Sequence, residues 1–501
     1  MRTGIRRALV GGLIVWLSVA VGAACVAQTT ARTVKRVAVP AAPITAILLS
    51  DIHFDPFRDP SKAARLVDAP ESEWNAILQE PDAPDQQEAF TLLQKGCNEA
   101  AIDTPYALFR SSLDAMKEKA SDAQFALLSG DLLVHNLACR FKTLLPGRSE
   151  SEYKALVAKM TDYVLDQTRL SLKGVTVYAA LGNNDSTCRD YALDPDDAYL
   201  EATREAAIGW MPNGVQKKAA YLSYGQRGDY AITMLAPMRR TRLIVLDDLF
   251  QSRRYSGCNG KPNPAVVDAQ IAWLSKELAG AKRRGERVWV LGHIPAGLDA
   301  YTTLLQHKNV CAGELPPVFL SSERMQDVMA KYADVIKLGV FGHTHMDEMR
   351  LFGGAVDSGH LTGPEGKVAI KMVPSISPLA SFISQFVVAK VDTGEARMVD
   401  YTVYAASNTT GVDAVWSKVY SYGETYQETE FTSKALDHLI EGFEADPNAS
   451  GPKTESYLKH VVGGEKALLL KSLWPRYSCV MAHHSAQGYA ACYCPASKTP
   501  K

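Results

Sequence analysis

The sequence predicts an α/β fold built on mixed sheets, and three observations carry that prediction. Short apolar runs alternate with segments of helical spacing along most of the chain. Five of the runs stop in Asp, Asn or His, four of them through a glycine. After residue 367 three strand-like segments follow one another without a helix between them, which adds antiparallel neighbours to a parallel core. The composition permits such a core. Of 501 residues, 47% are hydrophobic and 22% charged, which excludes a wholly disordered chain. The net charge of -1 argues against a dedicated nucleic-acid binder, and no tandem repeat suggests a solenoid.

The elements follow in order. Arg2, Arg6 and Arg7 precede an uncharged apolar run over 8–24, and Cys25-Val26-Ala27 ends in a small residue. This is the signal-peptide pattern, with cleavage expected before Gln28. An uncleaved anchor, or a lipid on Cys25, is the alternative. Residues 28–43 read as a linker. Ile44 to Ser50 is a buried strand, and 59–103 an elaborated loop with short helices. Tyr106 to Ala120 has helical spacing, and Phe125 to Ser129 is the second strand. Glu152 to Leu172 is a long amphipathic helix, and Val175 to Leu181 the third strand. Tyr230 to Leu235 and Arg242 to Leu246 are further strands. Pro264 to Arg283 is a helix, Arg287 to Leu291 a strand, Ser322 to Ala333 a helix, and Val335 to Phe341 a strand. Lys367 to Val373, Phe382 to Val391 and Ala396 to Tyr404 close the main domain, expected over 44–410. From 411 to 501 helical spacing returns with frequent aromatics, which predicts a helical appendage. Trp416, Tyr420, Tyr422 and Tyr426 are expected to pack that appendage onto the main domain.

The chain has nine cysteines, and eight remain besides Cys25. An even number in an exported chain predicts disulfides, with the pairing left open. Cys492 and Cys494 are too close in sequence to pair with each other. His483-His484 among the last cysteines could form a metal site, although disulfides are the better use of those thiols.

The chemistry concentrates where strands end. The segments are Asp51-Ile52-His53, Gly130-Asp131, Gly182-Asn183-Asn184-Asp185, Gly292-His293 and Gly342-His343-Thr344-His345. In open α/β sheets the carboxyl ends of strands form the ligand crevice. Asp51 and His53, like His343 and His345, are two residues apart and face the same way in extended chain. Glycine permits the close backbone approach that such turns need. Carboxylate, imidazole and amide oxygen together suit a divalent transition metal. Each fragment alone is commonplace; all five in this order are not.

This ordered set resembles the calcineurin-like metallophosphoesterases over roughly residues 44–405, and more closely their acid-sphingomyelinase-like branch. Leu49 to Pro56, Asp103-Thr-Pro, His135 four residues after Asp131, Gly292 to Gly297, Val373 to Pro378 and Val399 to Tyr404 carry the closer likeness. The resemblance implies a four-layer αββα sandwich of two mixed sheets, here with the C-terminal appendage. It also implies two divalent metal ions with a bridging hydroxide, with zinc favoured over manganese or iron. One ion would take Asp51, His53 and His345, the other Asn183, His293 and His343, and Asp131 would bridge them.

Position 184 departs from the pattern, which has His there. Asn184 can orient a phosphate but cannot supply a proton near neutral pH. His135 is therefore the candidate proton donor. Gly-Asn-Asn-Asp also resembles endopolyphosphatase relatives, and a phosphoanhydride needs less help from an acid than an ester does. Arg253 and Arg254, in a loop after Asp247-Asp248, are candidate substrate contacts. The expected function is exported hydrolysis of a phosphodiester or phosphoanhydride: a sphingomyelin-like lipid head group, a nucleotide or polyphosphate. Transient contact with a membrane surface fits a lipid substrate, and no nucleic acid is expected. The alternative is a catalytically weakened phosphate- or lipid-binding protein on the same scaffold, which Asn184 alone favours.

Overall fold

The computed structural model describes residues 42–99, 101–353, 366–379, 382–462 and 467–494. The expected signal peptide and all but the last two residues of the linker lie outside them. From residue 42 on, the described chain forms one compact unit.

Twelve strands make two sheets of six. In chain order they are β1 (Ile44–Leu49), β2 (Ala123–Ser129), β3 (Thr176–Ala180), β4 (Tyr230–Thr233), β5 (Thr241–Val245) and β6 (Arg287–Leu291). Then come β7 (Ile336–Phe341), β8 (Met349–Gly353), β9 (Lys367–Met372), β10 (Gln385–Asp392), β11 (Arg397–Ala406) and β12 (Trp416–Ser421). The first sheet runs β12-β11-β10-β1-β2-β3, and the second β8-β9-β7-β6-β5-β4. In the first, β1, β2 and β3 are parallel and the β10–β12 side is antiparallel. In the second, β5, β6, β7 and β9 are parallel and each edge strand is antiparallel.

Alternation along the second sheet shows the layers. Leu243, Val245, Trp289, Leu291, Leu338 and Val340 join the core shared with the first sheet. Their neighbours Ile244, Val288, Val290, Ile336 and Phe341 join a separate cluster with Leu274, Leu278, Met325 and Met329 of the covering helices. Side chains two apart thus point to one face, as strand geometry requires. Phe125 meets Trp289 edge-on across the sheets at 5.8 Å between centroids. On the outer side of the first sheet lies the helix Glu150–Ser171, whose start carries a Ser149–Glu152 capping box. The result is the four-layer sandwich of two mixed sheets that the motifs implied.

The sequence reading differs from the structure in places. Residues 198–208 and 215–227 are helices that interrupt the path from β3 to β4. Residues 411–421, expected inside the helical appendage, include β12, the edge strand of the first sheet. Helices then run from Tyr422 onward. Trp416, Tyr420, Tyr422 and Tyr426 are all buried, which is packing rather than an exposed lipid-facing surface. Four disulfides pair the eight cysteines: Cys97–Cys139, Cys188–Cys258, Cys311–Cys494 and Cys479–Cys492. They leave His483-His484 without thiolate partners for a metal. His484 Nε2 instead faces Leu351 O, and His483 pairs with Glu444. Among the described residues no helix is long and apolar enough to cross a membrane.

Candidate metal centre

The carboxyl ends of β1, β2 and β3 meet those of β6 and β7, so turns from both sheets converge on one point. Backbone hydrogen bonds stitch the turns together. Asp51 N–H donates to Gly130 O at 3.0 Å, His53 N–H to Asp131 O at 2.9 Å, and Gly342 N–H to His293 O at 3.0 Å. Five of the converging residues adopt left-handed backbone: Asp51 (φ 49°), His53 (45°), Asp131 (54°), His343 (74°) and His345 (60°). Such a conformation costs an L-residue about 1–3 kcal/mol and persists where the surroundings over-determine it. Five at one point concentrate strain where side chains are being aimed.

The donor atoms lie close. Asp131 Oδ2 is 3.4 Å from His53 Nε2 and 3.2 Å from His293 Nε2. Asp51 Oδ1 is 3.4 Å from His345 Nε2 and 3.8 Å from His53 Nε2. Asn183 Oδ1 is 3.1 Å from His293 Nε2, and the Nε2 atoms of His53 and His345 are 3.2 Å apart. Ligands about 2.1 Å from a common ion in tetrahedral array stand roughly 3.4 Å from one another. The donor set of carboxylates, imidazoles and an amide oxygen therefore has the spacing as well as the chemistry for divalent cations. Asp131 belongs to two donor groups, one with Asp51 and His53 and one with His293 and His343, so the cluster fits two metal ions; His53, His135 and His345 form a third group.

Outer contacts aim these donors. His53 Nδ1 donates to Leu133 O at 2.9 Å and His293 Nδ1 to Ser129 O at 2.7 Å, which leaves each Nε2 facing inward. Asn183 Nδ2 donates to Asp190 Oδ1 at 2.7 Å, which turns its oxygen into the site. Asn184 N–H donates to Asp131 Oδ1 and its Nδ2 to Oδ2, at 2.9 and 3.0 Å. The Asn184 backbone and side-chain amides thus hold both Asp131 oxygens. Asp185 accepts from Leu132, Leu133 and Gly182 N–H, and Asp248 from His293 and Ile294 N–H. A Cβ at Gly342 would stand 2.6 Å from Asp51 Oδ2, so only glycine lets this strand end approach.

Charge follows from the same packing. Burial opposes ionisation of Asp51 and Asp131, but the surrounding histidines prevail and hold both carboxyls below the usual range. Burial likewise opposes charge on His53 and His293. The facing carboxylates, Asp131 foremost and Asp51 beside it, together outweigh burial and push them up to about 9 and about 10. For His343 and His345 burial prevails, aided by neighbouring histidines, and pushes them down to about 3 and about 4. The buried carboxylates thus draw positive charge inward, the demand that metal ions also satisfy.

His135 stands beside this cluster. Its Nδ1 is 3.1 Å from both oxygens of buried Asp103, which is itself held by Ser377 Oγ at 3.0 Å. The His135 ring stacks on His53, with centroids 3.9 Å apart and planes 24° apart. His135, His53 and His345 offer nitrogens within 4.8 Å of one another, so the His135 ring stands at the edge of the donor cluster.

Of the two arginines, only Arg254 reaches the cluster's rim among the described contacts. Its guanidinium lies 3.9 Å over the Tyr191 ring and 3.4 Å from Asp190 Oδ2. Arg253 is exposed, with its backbone N–H on Phe319 O. Sequence reasoning missed Tyr191, whose hydroxyl is 3.2 Å from His343 Nε2, and Asp190, which orients Asn183. Both follow the Gly-Asn motif within a loop, and no periodicity or spacing marks them.

No protein-family profile matches the chain. It is similar to the acid sphingomyelinase-like phosphodiesterase 3b of Mus musculus, with 29% identity over 50% of this chain and 49% of that protein. It is also similar to the sphingomyelinase phosphodiesterase C of Dictyostelium discoideum, with 24% identity over 60% and 59%. The matched region thus spans between half and three-fifths of those relatives' length. A dimetal phosphatase from Danio rerio aligns structurally with a TM-score of 0.38 and 12% identity, over 76% of this chain and 100% of the other. The likeness to acid-sphingomyelinase-like proteins that the motifs implied is present over half or more of the chain.

Proposed function

We propose that the chain is an exported, binuclear metal-dependent phosphohydrolase that cleaves a phosphodiester or a phosphoanhydride. The observation that supports this best is the convergence of Asp51, His53, Asp131, Asn183, His293, His343 and His345 from five strand ends of two sheets. Asp51, His53 and His345 would hold one ion and Asn183, His293 and His343 the other, with Asp131 between them. Bound there, two divalent ions activate water as a nucleophile and neutralise charge on the phosphoryl oxygens, and zinc suits an imidazole-rich set.

The remaining chemistry belongs to the chain. Asp103 fixes the His135 ring through Nδ1, leaving Nε2 to pass a proton to the departing oxygen. Asn184 keeps both Asp131 oxygens in place and supplies no proton. Four disulfides in the described residues support an oxidising compartment, and with it export. The relatives' names, which are those of phosphodiesterases, support the reaction class.

The test is a substrate panel with and without chelator: bis-p-nitrophenyl phosphate, sphingomyelin, ATP and polyphosphate. Chelator-sensitive hydrolysis of at least one is the expected result. Metal-loaded protein that turns over none would instead favour the phosphate- or lipid-binding alternative.

A further inference from the structure

We infer that Arg254 and Tyr191 form a subsite for a second phosphate group joined to the one at the metal centre, so that the preferred ligand carries a pyrophosphate-like dianionic unit. This rests on the metallohydrolase reading and narrows its substrate class.

The Tyr191 hydroxyl is 3.2 Å from His343 Nε2, and the two rings meet edge-on. The Arg254 guanidinium lies 3.9 Å over the face of that same Tyr191 ring. One aromatic ring therefore separates a fixed positive charge from a metal-ligand histidine. Tyr191 is buried while the Arg254 side chain is 60% exposed, so the stack forms a wall of the centre with the cation at its rim.

The cation is also available. Its contact with Asp190 is 3.4 Å long, and that carboxylate is 41% exposed. An exposed pair of this length contributes little. Asp190 is meanwhile engaged through Oδ1 by Asn183 Nδ2. Guanidinium presents a planar fork of donors that matches two phosphate oxygens, and the ring beneath restrains its plane.

Chemistry selects the ligand. A guanidinium at the rim repels a cationic head group such as choline and attracts a second phosphate. Asn184 agrees with this, because a phosphate leaving group needs less protonation than an alkoxide. Phe319 sits edge-on to His343 at 5.6 Å and adds an apolar ring beside it.

The test is titration calorimetry of the metal-loaded full chain with inorganic pyrophosphate and with orthophosphate. The wild type should bind pyrophosphate at least about tenfold more tightly than orthophosphate. In Arg254→Ala that preference should shrink to about twofold or less, mainly through weaker pyrophosphate binding, and Arg254→Lys should recover part of it. Equal affinity for the two anions in the wild type would overturn the subsite. So would an undiminished preference in Arg254→Ala. Because the readout is binding, a chain that hydrolyses nothing yet keeps an Arg254-dependent preference would sink the hydrolase reading and leave the subsite standing.

Discussion

Gly182→Ala tests how tightly the central carboxylate is built in. A Cβ at residue 182 would lie 2.8 Å from Asp131 Cγ, and nearer still to Asp131 Oδ1 and backbone N. Carbon atoms pack at about 3.5–4.0 Å, so Asp131 or the Gly182 turn must give way by about 1 Å. Neither is free to do so. Both Asp131 oxygens accept from Asn184, Gly182 N–H donates to Asp185, and Asp131 O accepts from His53 N–H. A misplacement of about 1 Å at a reacting centre costs on the order of 100-fold in rate. Asp131 faces both donor groups, so retained metal should fall as well. The assay is kcat/KM on bis-p-nitrophenyl phosphate beside metal analysis of the same sample, with circular dichroism to confirm folding. Gly147→Ala is the control, because a Cβ there meets nothing within 4 Å. A folded Gly182→Ala protein with wild-type metal content and turnover would refute the reasoning.

Three further outcomes are expected. His343→Ala should lose metal and lower hydrolysis about 100-fold or more, and a fully loaded, fully active variant would remove His343 from the ligand set. Asp103→Asn should slow esters with alkoxide leaving groups far more than nitrophenyl esters, because it unfixes His135; equal slowing of both would count against His135 as the acid. Asp162 has a buried oxygen without a partner, and burial followed by repulsion from Asp166 and Glu71 pushes its carboxyl up to about 7. The native state therefore keeps a proton that the unfolded chain loses near pH 4, and stability falls as pH rises from about 4 to 7. Asp162→Asn should remove that penalty, giving about 1 kcal/mol at pH 8 after allowance for partial exposure and almost nothing at pH 4; a pH-independent change in Tm would contradict the assignment.

Much of the centre was legible because it lies at strand ends. A buried strand needs apolar side chains on both faces, so Ile44–Leu49 and Ile336–Phe341 stand out, and the first polar residues beyond them are conspicuous. The groups that aim the ligands were less legible. Asp103 is brought to His135 by a tertiary path, from a segment that reads as loop, and Asp248 reaches the His293 turn from the neighbouring strand's end. Asp190 and Tyr191 occupy an irregular turn that carries no periodic signal. The same limit explains β12. Trp416–Ser421 has only its ends buried, because it is an edge strand, and its aromatics mimic helical spacing. The helices over 198–227 were missed for another reason. Their buried positions, among them Tyr199, Leu200, Thr203 and Tyr224, mix polar and aromatic residues, so the apolar stripe is weak.

The most direct test of the account is the metal content of the purified full chain after exhaustive dialysis against metal-free buffer. Elemental analysis should find two transition-metal ions per chain, and their removal by chelator should abolish hydrolysis in step with the loss. A chain that retains no metal, or that hydrolyses phosphoesters equally well without it, would contradict a binuclear centre at these seven residues.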